Sequence, residues 1–176
     1  MNKKVSEKEK RRLEVLYEYS ILDTSPEQAF DDLVFLTKEL LGTPIALINF
    51  VDANRQWFKA KVGKNVSDMP RDIWADSLFV SLGETLIIPD TLVSERFATN
   101  PVVISEPHVR FYAGIPLIAP SGDAIGTLCA IDTVPRLITS EQVKSLEAIS
   151  RLVMKQLEIR TSLDQVADIE AEYERA

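Results

Sequence analysis

The spacing of hydrophobic positions changes along this chain, and each change marks a predicted element. Leu13, Leu16, Tyr17 and Leu22 recur at helical intervals behind Ser6, and Glu9 completes a Ser-x-x-Glu capping box. That pattern predicts a first helix of about 14 residues, ending near Ile21. "TSPEQ" predicts a second start, with Ser25 as cap and Pro26 in the first helical position. Phe30, Leu33, Val34, Leu36, Thr37, Leu40 and Leu41 then form an apolar stripe that Gly42 ends. The period next shortens towards two. "PIALINFVD" and "RQWFKAKVG", separated by Asp52, Ala53 and Asn54, predict a β-hairpin. "TLIIPD", "VRFYAGIPLIA" and "AIGTLCAID" predict further strands, the last two joined by a tight turn at Pro120 to Asp123. The pattern is that of an α+β domain with a central sheet of about six mostly antiparallel strands.

After Pro135 the chain has neither glycine nor proline, and Thr139 with Gln142 forms another capping box. One long helix is predicted to the chain end. Its heptads place Ile149, Gln156, Leu163 and Glu170 at one seam position and Leu152, Ile159, Val166 and Tyr173 at the other. Two readings are open. Gln156 and Glu170 fit a frayed, solvated helix, whereas Ile149, Leu152, Ile159, Leu163 and Val166 fit the interface of a parallel homodimer. "AEYERA" carries no stop signal, so the helix is expected to continue into a covalently attached output domain.

"PRDIWADSLFV" stands between two strand segments. At 100° per residue Trp74, Ala75, Leu78, Phe79 and Leu82 fall within an arc of about 140°, which predicts a short helix whose apolar face covers something. Asp72 and Asp76 lie along the border of that arc. Either both face water while the aromatics fill a second layer, or the aromatics wall a pocket into which Asp76 offers a carboxylate.

Composition narrows the chemistry. A formal net charge of −7 opposes sequence-independent attraction to nucleic acid or to an anionic membrane. One cysteine and one histidine exclude an intrachain disulfide and a zinc site of the usual nitrogen and sulfur composition. No metal site is predicted, and Asp31 and Asp32 point in different directions on a helix. Ser105, Glu106 and His108 are neighbours in a loop, which does not make a triad. "SGDAIGT" lacks the lysine and spacing of a phosphate-binding loop. Without an apolar leader or a membrane-length apolar run, a cytoplasmic chain is expected.

"YSILDTSPEQAFDDL", "PIALINFVDANRQWFK", "PRDIW", "IPDTLVSERFATNPVV", "VRFYAGIPL", "GTLCAIDTVPR" and "QLEIR" occur in this order from about Leu13 to Arg160. In this the sequence resembles a GAF domain of bacterial signalling proteins. The resemblance implies a GAF/PAS-like fold, with an N-terminal helix over 1–22, the domain over 23–160 and an extension of the C-terminal helix over 161–176. It implies helices from both chain ends on one face of the sheet and a ligand pocket on the other. Trp74, Asp76 and Phe79, with Phe111 and Tyr112 on a strand, are then the candidate pocket residues. Many relatives carry a cysteine in the insert, where this chain has Ala75, Asp76, Ser77 and Leu78. A carboxylate cannot replace the thiolate that forms a thioether, so covalent bilin attachment at this position is excluded. The expected function is regulatory and non-catalytic: small-molecule sensing and dimer-mediated signalling to an output domain, with the ligand and any cofactor unnamed. The alternatives are a ligand-free dimerisation module and a GAF-type methionine sulfoxide reductase acting through Cys129.

Overall fold

The computed structural model of the chain describes residues 6–63, 69–70 and 83–176. Helix α1 (Glu7–Glu18) begins as its capping pattern requires, the Glu9 N–H donating to Ser6 Oγ at 3.2 Å. It stops short of Ile21 because Ser20, at φ 50°, has already left helical geometry. Arg12, buried on α1, donates to the Glu9 carboxylate at 2.8 and 2.9 Å and to the Val51 carbonyl at 2.7 Å, fixing the helix to the sheet. Helix α2 (Gln28–Leu41) starts later than the sequence pattern places it. Glu27, not Ser25, is its N-cap, because Thr24 and Ser25 are turned to the ammonium group of Lys59. Gly42 ends α2 at φ 69°, as expected of a left-handed cap. Leu36, assigned to the apolar stripe, is instead 51% exposed.

Strands β1 (Ile45–Val51), β2 (Arg55–Val62), β3 (Met69–Pro70), β4 (Leu86–Ile88), β5 (Phe111–Ile118) and β6 (Ala124–Asp132) form one sheet in the order β3-β2-β1-β6-β5-β4. Every described pairing is antiparallel. Between β4 and β5 run a 3-10 turn at Thr91–Val93 and the one-turn helix α3 (Pro101–Ile104). Helix α4 (Ser140–Arg175) opens with both halves of the Thr139–Gln142 capping box formed. Among the described residues, no helix is long and apolar enough to cross a membrane.

Alternation along the strands divides the core in two. Leu16, Phe30, Val34, Ile48, Phe50, Phe111, Leu128 and Leu157 join the cluster between the sheet and helices α1, α2 and α4. Ile45, Leu47, Tyr112, Cys129 and Ile131 face the other way, against Phe97 and Val103 from the β4–β5 connection. Ile48 pairs with Ala60 and Asn49 with Phe58, so Lys59 is the extra residue of a β-bulge. The bulge turns both Lys59 and Ala60 towards the helices. Past β6, buried Asp132 accepts the Thr133 and Val134 N–H groups at 2.6 and 3.3 Å and pairs with Arg136. Arg136 in turn donates to the Leu41 and Gly42 carbonyls at 3.2 and 2.8 Å, so "AIDTVPR" caps α2 from outside it.

β6 leaves no room for a side chain at Gly126, where an added Cβ would lie 2.0 Å from the Asn49 carbonyl oxygen on β1. Gly126→Ala is therefore expected to destabilise the fold by about 1–3 kcal/mol, the usual cost of overpacking a core. Chemical denaturation tests this, and an unchanged midpoint would show that the two strands separate there without cost.

Candidate functional site

The sheet face turned away from the long helices carries a buried polar cluster. Asn49 on β1 shares the face of Ile45 and Leu47, and it meets Gln56 on β2 and Thr127 on β6. Asn49 Nδ2 donates to Gln56 Oε1 at 3.1 Å. Asn49 Oδ1 accepts from the Thr127 N–H at 3.0 Å and from its hydroxyl at 2.6 Å. All three residues are at most 1% exposed. These uncharged amide and hydroxyl groups hold one another in fixed positions at the centre of the sheet.

Tyr112 and Cys129 belong to the apolar cluster on this face. An added Cβ on Gly114 would lie 2.4 Å from the Tyr112 hydroxyl oxygen, so the tyrosine side chain lies along its own strand over the glycine. The β4–β5 connection closes the face from the side and is itself held by capping bonds. Asp90 accepts the Leu92 N–H at 3.0 Å, Asn100 accepts the Val102 N–H at 3.1 Å, and Thr91 Oγ1 donates to the Val109 carbonyl at 2.7 Å.

β2 links this face to the helices. Gln56 and Phe58 belong to the polar and apolar surface just described, whereas Lys59, like Trp57, points to the helix side, and the bulge turns the next residue, Ala60, the same way. The Lys59 side chain is 0% exposed. Its ammonium donates to Thr24 Oγ1 at 2.8 Å, to the Ser25 carbonyl at 2.6 Å and to Glu27 Oε2 at 2.5 Å, and it lies 5.5 Å from the centre of the Phe30 ring. Glu27 Oε2 also accepts from Arg160 Nε at 2.9 Å. Arg160 stands where α4 leaves the domain, since Leu157 is the last buried residue of that helix. Arg160 also reaches the Tyr19 and Ser20 carbonyls at 3.4 Å each, and the Tyr19 hydroxyl donates to Glu158. Burial, with the Glu158 carboxylate second, pushes the Tyr19 phenol above its ordinary pKa, so it keeps the proton it donates. Burial opposes ionisation of Glu27, but hydrogen bonds from Lys59 and Arg160 outweigh it and hold the carboxyl below its ordinary range.

The candidate residues divide between these places. Trp74, Asp76 and Phe79 lie outside the described residues. Phe111 and Tyr112, paired in the sequence reading as one pocket wall, point to opposite faces. Phe111 packs in the helix-side core, leaving Tyr112 alone able to line a site on the other face. Ile149 packs in part against its own domain, whereas Leu152, Ile159, Leu163 and Val166 are 50%, 52%, 64% and 51% exposed. Cys129 is 1% exposed within β6. Among the described residues, no group of three or more His, Cys, Asp or Glu is placed to hold a metal ion. Lys59, Glu27 and Arg160 escape a sequence reading, because alternation in "RQWFKAKVG" puts Lys59 and Lys61 together on a solvated face and only the bulge separates them.

Comparison with known proteins adds four likenesses. The GAF domain family model matches residues 25–157. A Pseudomonas aeruginosa protein named cyclic di-GMP phosphodiesterase is 34% identical over 173 residues, covering 96% of this chain and 29% of that protein. The chain thus spans less than a third of the length of this curated relative. Among solved structures, the GAF domain of an Acinetobacter phosphoenolpyruvate-protein phosphotransferase superposes with TM-score 0.63 at 16% identity, covering 90% of this chain and 97% of that one. The free methionine-R-sulfoxide reductase of Neisseria meningitidis, solved with its substrate, gives TM-score 0.64 at 17% identity, covering 91% and 96%. Both structures share the fold.

The Glu27 site has a definite pH signature. A carboxyl held below its ordinary value of 4.5 contributes stability above that pH, and the contribution is lost as pH falls through the lower, folded value. Glu27→Gln is expected to cost about 1–2 kcal/mol near neutral pH, because it leaves buried Lys59 without its counter-charge, an effect that the 35% exposure of Glu27 to solvent screens in part. The stability difference between wild type and variant should then shrink below pH 4.5. Denaturation measured from pH 7 to pH 3 checks this; a difference independent of pH would remove the carboxylate from the account.

Proposed function

The chain belongs to the GAF domain family, and we propose that it is a non-catalytic regulatory module that senses a small molecule on the polar face of its sheet and signals through dimerised α4. The observation that carries this reading is the pairing of Lys59 and Arg160 on the Glu27 carboxylate. One residue of β2 ties the strand that forms the polar face to the point where α4 departs, through Glu27 and Arg160. A ligand that shifts β2 moves the root of α4.

The sulfoxide-reductase alternative is disfavoured by the chemistry of the lone thiol. Reduction of a sulfoxide by a protein needs an attacking thiolate and normally a resolving thiol. Cys129 is the sole cysteine and is enclosed within β6. The name of the Pseudomonas relative makes cyclic di-GMP turnover an output that such a module would regulate. On this reading that activity belongs to a domain joined to α4.

Helix α4 is apolar on two opposite sides. At 100° per residue its buried residues Leu146, Ser150, Val153, Met154 and Leu157 centre about 180° from exposed Leu152, Ile159, Leu163, Val166 and Tyr173. The first side packs on the domain; the second faces away from it and fits a second copy. Successive exposed positions seven apart drift by about 20°, the drift that a left-handed supercoil absorbs.

Leu163→Asp, at an exposed position, is expected to convert a dimer to a monomer without loss of fold, as read by sedimentation and circular dichroism. A wild-type chain that is monomeric at high micromolar concentration would remove the dimer from this reading. For the sensor role, we propose Trp74 and Phe79 as the cover of the polar face and Asp76 as a carboxylate contact. A small molecule that raises the wild-type Tm in a thermal-shift screen should lose its effect with Asp76→Asn. An unchanged shift would show that Asp76 does not touch it.

A further inference from the structure

The geometry points to a docking groove for an acidic, extended segment of a partner protein, running from the start of α1 to the middle of α4 beside the end of the sheet. Two cavities of about 470 and 480 Å³ meet there, with Gly83 and Ile118 lining both. The first is bounded by the start of α1 and the turn between β5 and β6, the second by α4, Thr85 and the latter half of β5. Neither is lined by the polar cluster of Asn49, Gln56 and Thr127 or by Lys59, Glu27 or Arg160.

The sheet leaves an edge along this groove. β4 pairs only with Tyr112, Ala113 and Gly114, whereas β6 pairs with the whole of β5. Ile115 to Ile118 therefore have no strand on their outer side among the described residues. The Ala119 N–H turns towards β6, donating to the Asp123 carbonyl at 2.9 Å, so by alternation the backbone of Pro116 and Ile118 turns outward. An open edge of this kind accepts an added extended chain. Pro116 has no N–H to give, so side chains must supply most of the affinity. Ile118, 43% exposed at the junction of the two cavities, is the apolar contact the groove offers.

Charge decides what the added chain must carry. The protein bears a net charge of −7, yet Lys8, Arg11, Arg12, Arg151 and Lys155 line the two cavities against the carboxylates of Glu9, Asp123 and Glu147. Arg12 and Glu9 are paired at 2.8 Å, and Arg11 holds Asp123 through Nε at 3.4 Å while staying 67% exposed. Lys8, Arg151 and Lys155 are exposed and have no ion-pair partner among the described residues. Arg151 and Lys155, four residues apart, stand in one row on the flank of α4. Cations thus stand at both ends of the groove with Ile118 between them, which suits acidic residues on either side of an apolar one.

The test is a selection of random linear peptides displayed on phage against the full chain at low salt. Enriched peptides are expected to carry Asp or Glu on both sides of an apolar residue. Bound as synthetic, fluorescently labelled forms, they should lose affinity as salt is raised. The double variant Arg151→Glu, Lys155→Glu, and the single variants Lys8→Glu and Ile118→Glu, should each raise the peptide Kd about tenfold. All four positions are exposed, so circular dichroism should be unchanged. An acidic peptide whose Kd none of these variants moves would overturn the proposal, as would enrichment of peptides without acidic residues. If no peptide is enriched but Ile118→Glu alters the sedimentation of the chain itself, the groove belongs to a second copy of this chain and the proposal also fails.

Discussion

A fully buried ammonium group sets the terms for the rest of this molecule. Lys59 lies among the helix-side apolar residues of the domain, where an unpaired charge costs several kcal/mol, so the chain must bring oxygen atoms to it. It does so with three consecutive features of one segment: the Thr24 hydroxyl, the Ser25 carbonyl and the Glu27 carboxylate. Meeting that demand fixes where α2 begins and which residue caps it. It also leaves Glu27 with a second acceptor direction, which Arg160 takes. Strand β2, helix α2 and helix α4 are thereby joined at one carboxylate.

The same economy of polar contacts explains how the connecting segments are held. Asp23, at φ 61°, holds Arg55 with two bonds of 2.8 and 2.7 Å, and Asp52 takes a third contact at 3.3 Å, so "ILDTSPEQ" is laid along β2 by charge as well as by packing. Burial works against ionisation of Asp52, and bonds from the Tyr17 hydroxyl, the Ala53 N–H and Arg55 outweigh it to keep the carboxyl below its ordinary range. At the other end of the domain, Asp132 and Arg136 turn the chain from β6 into α4 and close off α2 on the way. These charged residues organise connections that apolar packing alone leaves undetermined.

Much of the architecture was legible in the sequence because it follows from local periodicity. The N-cap at Ser6, the capping box at Thr139, the stop at Gly42 and the alternation through β1, β5 and β6 all correspond to elements observed, although the Glu9 side chain bonds Arg12 and does not close a box at Ser6. Where prediction failed, a distant partner had overridden a local preference. Ser25 is a good cap by type, but Lys59 claims its carbonyl; Phe111 and Tyr112 look alike in composition, but strand geometry separates them. A bulge is the hardest feature to read, since one extra residue in β2 reverses the faces of Ala60, Lys61 and Val62 and nothing in "WFKAKV" marks it. The polar cluster of Asn49, Gln56 and Thr127 was equally hidden, because its members are 78 residues apart at the extreme and meet only across the sheet.

The central claim is that β2 carries a mechanical connection from the polar face to the root of α4 through Lys59. Gln56 on that face and Arg160 on α4 lie on opposite sides of the sheet, and residues so placed normally contribute additively to stability. A double-mutant cycle of Gln56→Ala and Arg160→Ala, followed by equilibrium denaturation, measures the connection directly. The account predicts non-additivity of at least about 0.5 kcal/mol that disappears when the cycle is repeated with Lys59→Met in all four proteins. Additive effects in the wild-type background would contradict it.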